Sequence, residues 1–149
     1  MLNWLKTNAL AARDTLASEM TKFKNADFME AIVASCALVS AADGEISSAE
    51  KMKMTGFIQN SKELKVFDLN KVITSFNAYC EKFGFDEQIG RAEALKAVAK
   101  VRSKPDAARL LVRVAIAIGS SDGNFDDSER AVCRMICNEL GLAPVEFDL

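Results

Sequence analysis

Histidine is missing from all 149 residues. That removes the commonest general base, the usual zinc ligand and the side chain that most often senses physiological pH. Proline is scarce at two and glycine at seven, and both read as breaks between periodic segments. Strand-like alternation is nowhere sustained, so the chain is expected to be helical throughout. No apolar run reaches the roughly 20 residues that a membrane-spanning helix needs. The longest, Ala31 to Ala42, has the length of a buried helix. Residues 1–25 carry neither a clean apolar stretch nor a small-residue cleavage site, so a cytoplasmic location is expected.

The four cysteines, Cys36, Cys80, Cys133 and Cys137, form no CxxC pair. Cys36, Cys133 and Cys137 sit inside apolar helical patterns, as buried reduced thiols do. Cys133 and Cys137 are one turn apart and share a face, but no second pair with ligand spacing accompanies them.

What the chain does have is apolar content. Half of its residues are hydrophobic and 27% are charged, enough for one self-sufficient domain over residues 1–149. The net charge of −2 gives no global pull toward nucleic acid. Its distribution is uneven. Residues 91–113 carry seven Lys/Arg against two Asp/Glu, whereas residues 114–149 carry seven acids against two bases. The basic segment has no interleaved aromatics, so a nucleic-acid partner is not expected.

Periodicity predicts a first helix over Leu2 to Phe23, basic and amphipathic, with Trp4 near its start. Such a helix either docks on its own domain or lies on an anionic membrane. A second helix over Asp27 to Ala42 is apolar almost all round, the mark of a central buried element. Helices follow over Ser48 to Asn60 and, briefly, Glu63 to Phe67. The next runs from Leu69 to Phe83, broken at Phe83-Gly84-Phe85-Asp86. Another spans Glu87 to Arg102. A helix over Asp106 to Gly119 repeats the apolar second one, and a last helix spans Asp127 to Leu140. The expected fold is all-α: a compact bundle of about seven to eight helices with a pseudo-twofold repeat.

The repeat is visible in the loops. Ala41-Ala42-Asp43-Gly44-Glu45-Ile46-Ser47-Ser48-Ala49-Glu50-Lys51 aligns without a gap on Ser120-Ser121-Asp122-Gly123-Asn124-Phe125-Asp126-Asp127-Ser128-Glu129-Arg130. The shared pattern is D-G-x-[IF]-[SD]-x-x-E-[KR], placed between an apolar helix and an amphipathic one. Repeat one covers about 27–68 and repeat two about 106–148. Folding needs account for much of this pattern. Glycine after a helix supplies positive φ. Ser47-x-x-Glu50 and Asp126-x-x-Glu129 are capping boxes, with Ile46 and Phe125 at the staple position. Folding does not call for Asp43 and Asp122, because an acid at a helix C-terminus is disfavoured by the helix dipole.

A cation would offset that cost. D-G-x-I-x-x-x-E matches the second half of an EF-hand loop. The first and third ligand positions, however, fall on Val39 and Ala41 in one copy, and on Ile118 and Ser120 in the other. Two half-loops facing each other would pool Asp43, Glu50, Asp122 and Glu129, with Ser47 and Asp126 beside them. Oxygen donors of this kind suit Ca²⁺ or Mg²⁺. The alternatives are a role confined to capping and hydrogen bonding, or an acidic docking face for a basic partner.

The doubled loop, the segment Ser61-Lys62-Glu63-Leu64-Lys65-Val66-Phe67-Asp68 and the break at Phe83-Gly84-Phe85-Asp86 resemble the tellurite-resistance TerB family. So does the stretch Ser120 to Asp127. The resemblance implies a compact all-helical domain of a stress-response operon that confers resistance to tellurite, some phages and pore-forming colicins. It implies action at the inner membrane face with a TerC-like membrane protein and calcium-binding TerD-type proteins. It also implies a divalent cation on Asp43 and Glu50 in the first loop, and on Asp122 and Glu129 in the second. The loops depart from each other at Ser47 and Asp126, so their affinities should differ if that position is a ligand.

On these grounds the chain is expected to be a non-enzymatic binding or adaptor module. Two alternatives are a metal-dependent hydrolase-like enzyme using the clustered carboxylates and thiol-based handling of tellurite by Cys133 and Cys137.

Overall fold

The computed structural model describes the backbone of residues 9–23, 25–43, 46–60, 64–120, 123 and 125–149, and the side chains of those from Thr15 onward except Glu50. Among the described residues there are seven α-helices and no strand: α1 (Ala9–Met20), α2 (Ala26–Ser40), α3 (Ser48–Asn60), α4 (Leu69–Phe85), α5 (Glu87–Ala99), α6 (Pro105–Gly119) and α7 (Asp127–Leu140). Short 3₁₀ turns follow α1 at Thr21–Phe23 and α7 at Pro144–Phe147.

Helix α2 is the hub. Asn25 starts it, its side chain accepting from the Phe28 backbone N–H at 2.9 Å, which satisfies one of the free donors of the first turn. Every residue from Ala31 to Val39 is buried. The single polar one, Ser35, donates its hydroxyl back to the Ala31 carbonyl at 2.9 Å. A helix buried on all sides must be surrounded, and α2 packs against α3, α4, α5, α6 and α7. Helix α6 is the second apolar element and is buried along most of its length.

Helix α1 docks on this core. Leu16 and Met20 are buried, and α1 packs against α6. Phe23 tilts against Phe28, with ring centroids 5.8 Å apart. The apolar stripe of the described part of α1 is therefore turned inward. Leu2 to Asn8, with Trp4, lie outside the described residues. No helix among the described residues is long and apolar enough to cross a membrane.

Several helix limits differ from the periodicity reading. Helix α2 ends at Ser40, and α5 ends at Ala99 rather than Arg102. Lys100, Val101, Arg102 and Lys104 instead each bond back three residues, in tight turns. Pro105 disfavours α geometry at Lys104 and opens α6 as its first residue. Leu64–Val66 form a turn rather than a helix. Glu63, where a helix was expected to begin, lies outside the described residues. Gly56, Gly84, Gly90 and Gly119 lie inside helices rather than between them.

The α4–α5 corner shows why. Helix α4 runs through Gly84 to Phe85, and one extended residue, Asp86, makes the turn. Its N–H bonds to the Lys82 carbonyl, closing α4, while its carboxylate accepts from the N–H groups of Gln88 and Ile89, opening α5. A hairpin this tight brings α5 onto α4. A β-carbon at Gly90 would lie 2.7 Å from the Phe83 Cα, so glycine permits the approach. Glu30 ties three helices nearby: Tyr79 of α4 donates to it at 3.0 Å and Lys100, just past α5, at 2.9 Å.

Candidate functional site: two acidic helix–loop–helix units

Helix limits recur at the loop offset. Helix α2 spans 26–40 and α6 spans 105–119, each start and each end separated by 79 positions, and α3 and α7 begin at 48 and 127. The caps recur as well. Ala41 and Ser120 close the apolar helices with nearly the same backbone angles, φ −95° in both. The Ser47 carbonyl accepts from Lys51 N–H at 2.9 Å, and the Asp126 carbonyl from Arg130 N–H at 3.0 Å. Ile46 and Phe125, at the staple position, both pack against the core.

The second loop is the better described. Glu129 N–H donates to Asp126 Oδ1 at 2.8 Å, and Asp126 N–H donates to Glu129 Oε1 at 3.2 Å, a reciprocal capping box. The Ser128 hydroxyl also donates to Asp126 Oδ1, at 2.7 Å. The Glu129 N–H and then the Ser128 hydroxyl hold the Asp126 carboxyl below its ordinary value. Gly123 takes φ +80°, the left-handed turn expected of the D-G pair. It sits three residues beyond the cap Ser120, so it shapes the loop rather than ending α6.

Phe125 folds back over the end of α6. A β-carbon at Gly119 would stand 2.8 Å from Phe125 Cε1 and 3.6 Å from Glu129 Oε2. The ring fits because residue 119 has no side chain. The first copy carries Ser40 and the smaller Ile46 at the matching positions. Glu129 is thus held at the favourable N-terminal end of α7 while its other oxygen lies near Gly119 in the last turn of α6, the negative end of that helix's dipole.

Asp43 is exposed in the turn after α2, and Ser47 is half-buried immediately before α3. The side chain of Glu50, and Gly44 and Asp122, lie outside the described residues. Among the described residues no cluster of three or more His, Cys, Asp or Glu side chains is placed to hold a metal ion. Glu129 sets one carboxylate beside the C-terminal end of α6, and an oxygen donor of that kind suits a hard cation.

A family model described as tellurite resistance protein TerB matches residues 29–149. The chain belongs to the TerB family. It is 42% identical over 106 residues to the tellurium resistance protein TerB of an Alcaligenes species, covering 71% of this chain and 87% of that one. No solved structure matches it. The region matched to TerB takes in both acidic loops and every helix except α1 and the first three residues of α2.

All four cysteines of this TerB chain are buried and free. Burial pushes the Cys36 and Cys133 thiols up to about 12 and that of Cys137 up to about 11. Reactive thiols need exposure and a depressed pKa. Here the pair at helical spacing is core filling.

Sequence reasoning missed two features of the second loop: the seat of Phe125 on Gly119, and Arg130, whose guanidinium lies 5.7 Å from the Phe125 ring centroid. A signal for the first was present, since positions 40/119 and 46/125 change size in opposite directions between the copies.

Proposed function

We infer that this TerB-family chain is a non-enzymatic adaptor of a tellurite-resistance system, loaded with a divalent cation, Ca²⁺ or Mg²⁺, by its paired acidic loops. Asp43, Glu50, Asp122 and Glu129 are its carboxylate ligands, with Ser47 and Asp126 adjacent. The two units are read as a pseudo-twofold pair that pools these oxygens. The observation carrying this reading is the position of Glu129, its carboxylate held by the capping box and leaning on the negative end of α6. A cation at that point offsets charge that capping alone does not need. Loading would couple the loops to docking on membrane-associated partners, including a TerC-like membrane protein, at the cytoplasmic face.

The reading favours binding over thiol chemistry because the thiols are buried and raised. Its test is docking. Purified chain is mixed with nanodiscs carrying a TerC-like protein, with Ca²⁺ or with chelator. Cation-dependent binding absent from empty nanodiscs supports the adaptor role. Equal binding with chelator, or none under either condition, removes it.

A further inference from the structure

The last residues of the chain lie across arginines of α6 and α7. Arg109 Nε donates to Glu146 Oε1 at 2.6 Å. The Arg113 guanidinium lies 5.9 Å from the centroid of the Phe147 ring. Arg130 Nη2 donates to the backbone oxygen of Asp148 at 2.8 Å. Arg109 and Arg113 are one turn apart on α6, as Arg130 and Arg134 are on α7. Arg134 Nη1 is buried with no hydrogen-bond partner. On α7 it lies between Arg130, which holds Asp148, and Cys137, whose thiol lies in the field of Glu146. Its side of the helix is therefore the side the tail covers.

This face is under-filled. Arg130 meets a neutral carbonyl where a carboxylate would bind more strongly, and Arg134 leaves a buried donor unsatisfied. The tail is held chiefly by the buried Phe147 ring, with Leu149 packed against the core. Its described backbone-to-backbone hydrogen bonds are internal, from Glu146, Asp148 and Leu149 back to Ala143, Val145 and Pro144. The Arg109–Glu146 pair is exposed, where ion pairs contribute little. Asp148 sits at φ +61°, uncommon for a residue with a side chain. Val145 is 77% exposed, and Phe147, at 2%, is the anchor.

We propose that the arginine face of α6 and α7 is a docking site for a protein segment bearing an aromatic residue between carboxylates. The chain's own Glu146-Phe147-Asp148 is the resident occupant, and a partner segment of that chemistry exchanges with it. The aromatic ring takes the Phe147 seat under Arg113. One carboxylate takes Arg109, and the other reaches Arg130 and the unpartnered Arg134. This surface is opposite in charge to the acidic loops, and Arg130 borders both, lying against Phe125 as well as Asp148.

The test uses a fluorescein-labelled peptide with the sequence of residues 143–149, titrated by anisotropy into the full chain. Glu146→Gln removes the resident tail's exposed ion pair, so this variant is expected to bind the peptide about threefold tighter than wild type. Adding Arg134→Gln to it should abolish that binding, and a peptide with the phenylalanine replaced by alanine should not bind. Hydrogen exchange of the untouched wild type gives a second reading that needs no variant. The amides of Glu146, Asp148 and Leu149 should exchange through local opening, well before those of α6 and α7. No saturable binding to Glu146→Gln, binding unaffected by Arg134→Gln, or tail amides that exchange only on global unfolding would each overturn the proposal.

Discussion

Asp126 and Glu129 each hold the other's backbone N–H, at 2.8 and 3.2 Å. Two candidate cation ligands are therefore also the start signal of α7, and their substitutions must be read for folding and for binding separately. Asp126→Ala removes the cap and should cost about 1 kcal/mol in urea denaturation. Asp126→Asn keeps an acceptor and should lose much less. If Asp126 is a ligand, the Asn variant will nevertheless bind the cation more weakly, at nearly unchanged stability.

Gly119 and Phe125 give a packing prediction. Gly119→Ala places a β-carbon 2.8 Å from Phe125 Cε1 and should destabilise by about 1–3 kcal/mol through overpacking. Pairing Gly119→Ser with Phe125→Ile reproduces the Ser40/Ile46 combination of the first loop and should recover most of that loss. Chemical denaturation of the single and double variants checks it. No recovery in the double variant would mean that the loops do not pack alike.

Acidification should act through Glu30. Its carboxyl is held below the ordinary glutamate value, first by the Lys100 ammonium and also by the Tyr79 hydroxyl. A depressed carboxylate contributes stability above its unfolded pKa and loses it as pH falls through the folded one. The melting-temperature difference between wild type and Glu30→Gln should be constant above about pH 5 and shrink steadily below about pH 4. A difference that grows on acidification would contradict the sign.

The thiols should be silent in the folded protein. At pH 8 a disulfide reagent should modify Cys36, Cys133 and Cys137 only at the rate of unfolding, and all four cysteines promptly in denaturant. Fast modification of Cys133 or Cys137 in the native state would reopen thiol chemistry on tellurite.

Much of the fold was legible because α2 and α6 are the most apolar stretches of the chain and the loops between them and α3 and α7 carry their own capping patterns. Those signals are local. What the chain pattern did not show depends on contacts made across the structure. Gly84 looked like a break, yet α4 continues through it because Phe83 is buried and Asp86, two residues later, supplies both caps. Arg102 looked helical, but Pro105 forces the chain out of α geometry before it. In the site, the Asp126–Glu129 box could be read from spacing. The Phe125 seat on Gly119 and the hold of Arg130 on Asp148 join residues 6 and 18 positions apart, and periodicity carries no record of such pairs.

Cation binding by the paired loops can be measured on the purified protein. Calorimetric titration of Ca²⁺ and of Mg²⁺ into metal-stripped protein, beside the Asp43→Ala/Asp122→Ala double variant, tests it most directly. Saturable binding is expected in the wild type and should be lost in a double variant with an unchanged helical spectrum. No heat of binding at millimolar cation from a folded wild type would contradict it, leaving capping and an acidic docking face as the roles of both loops.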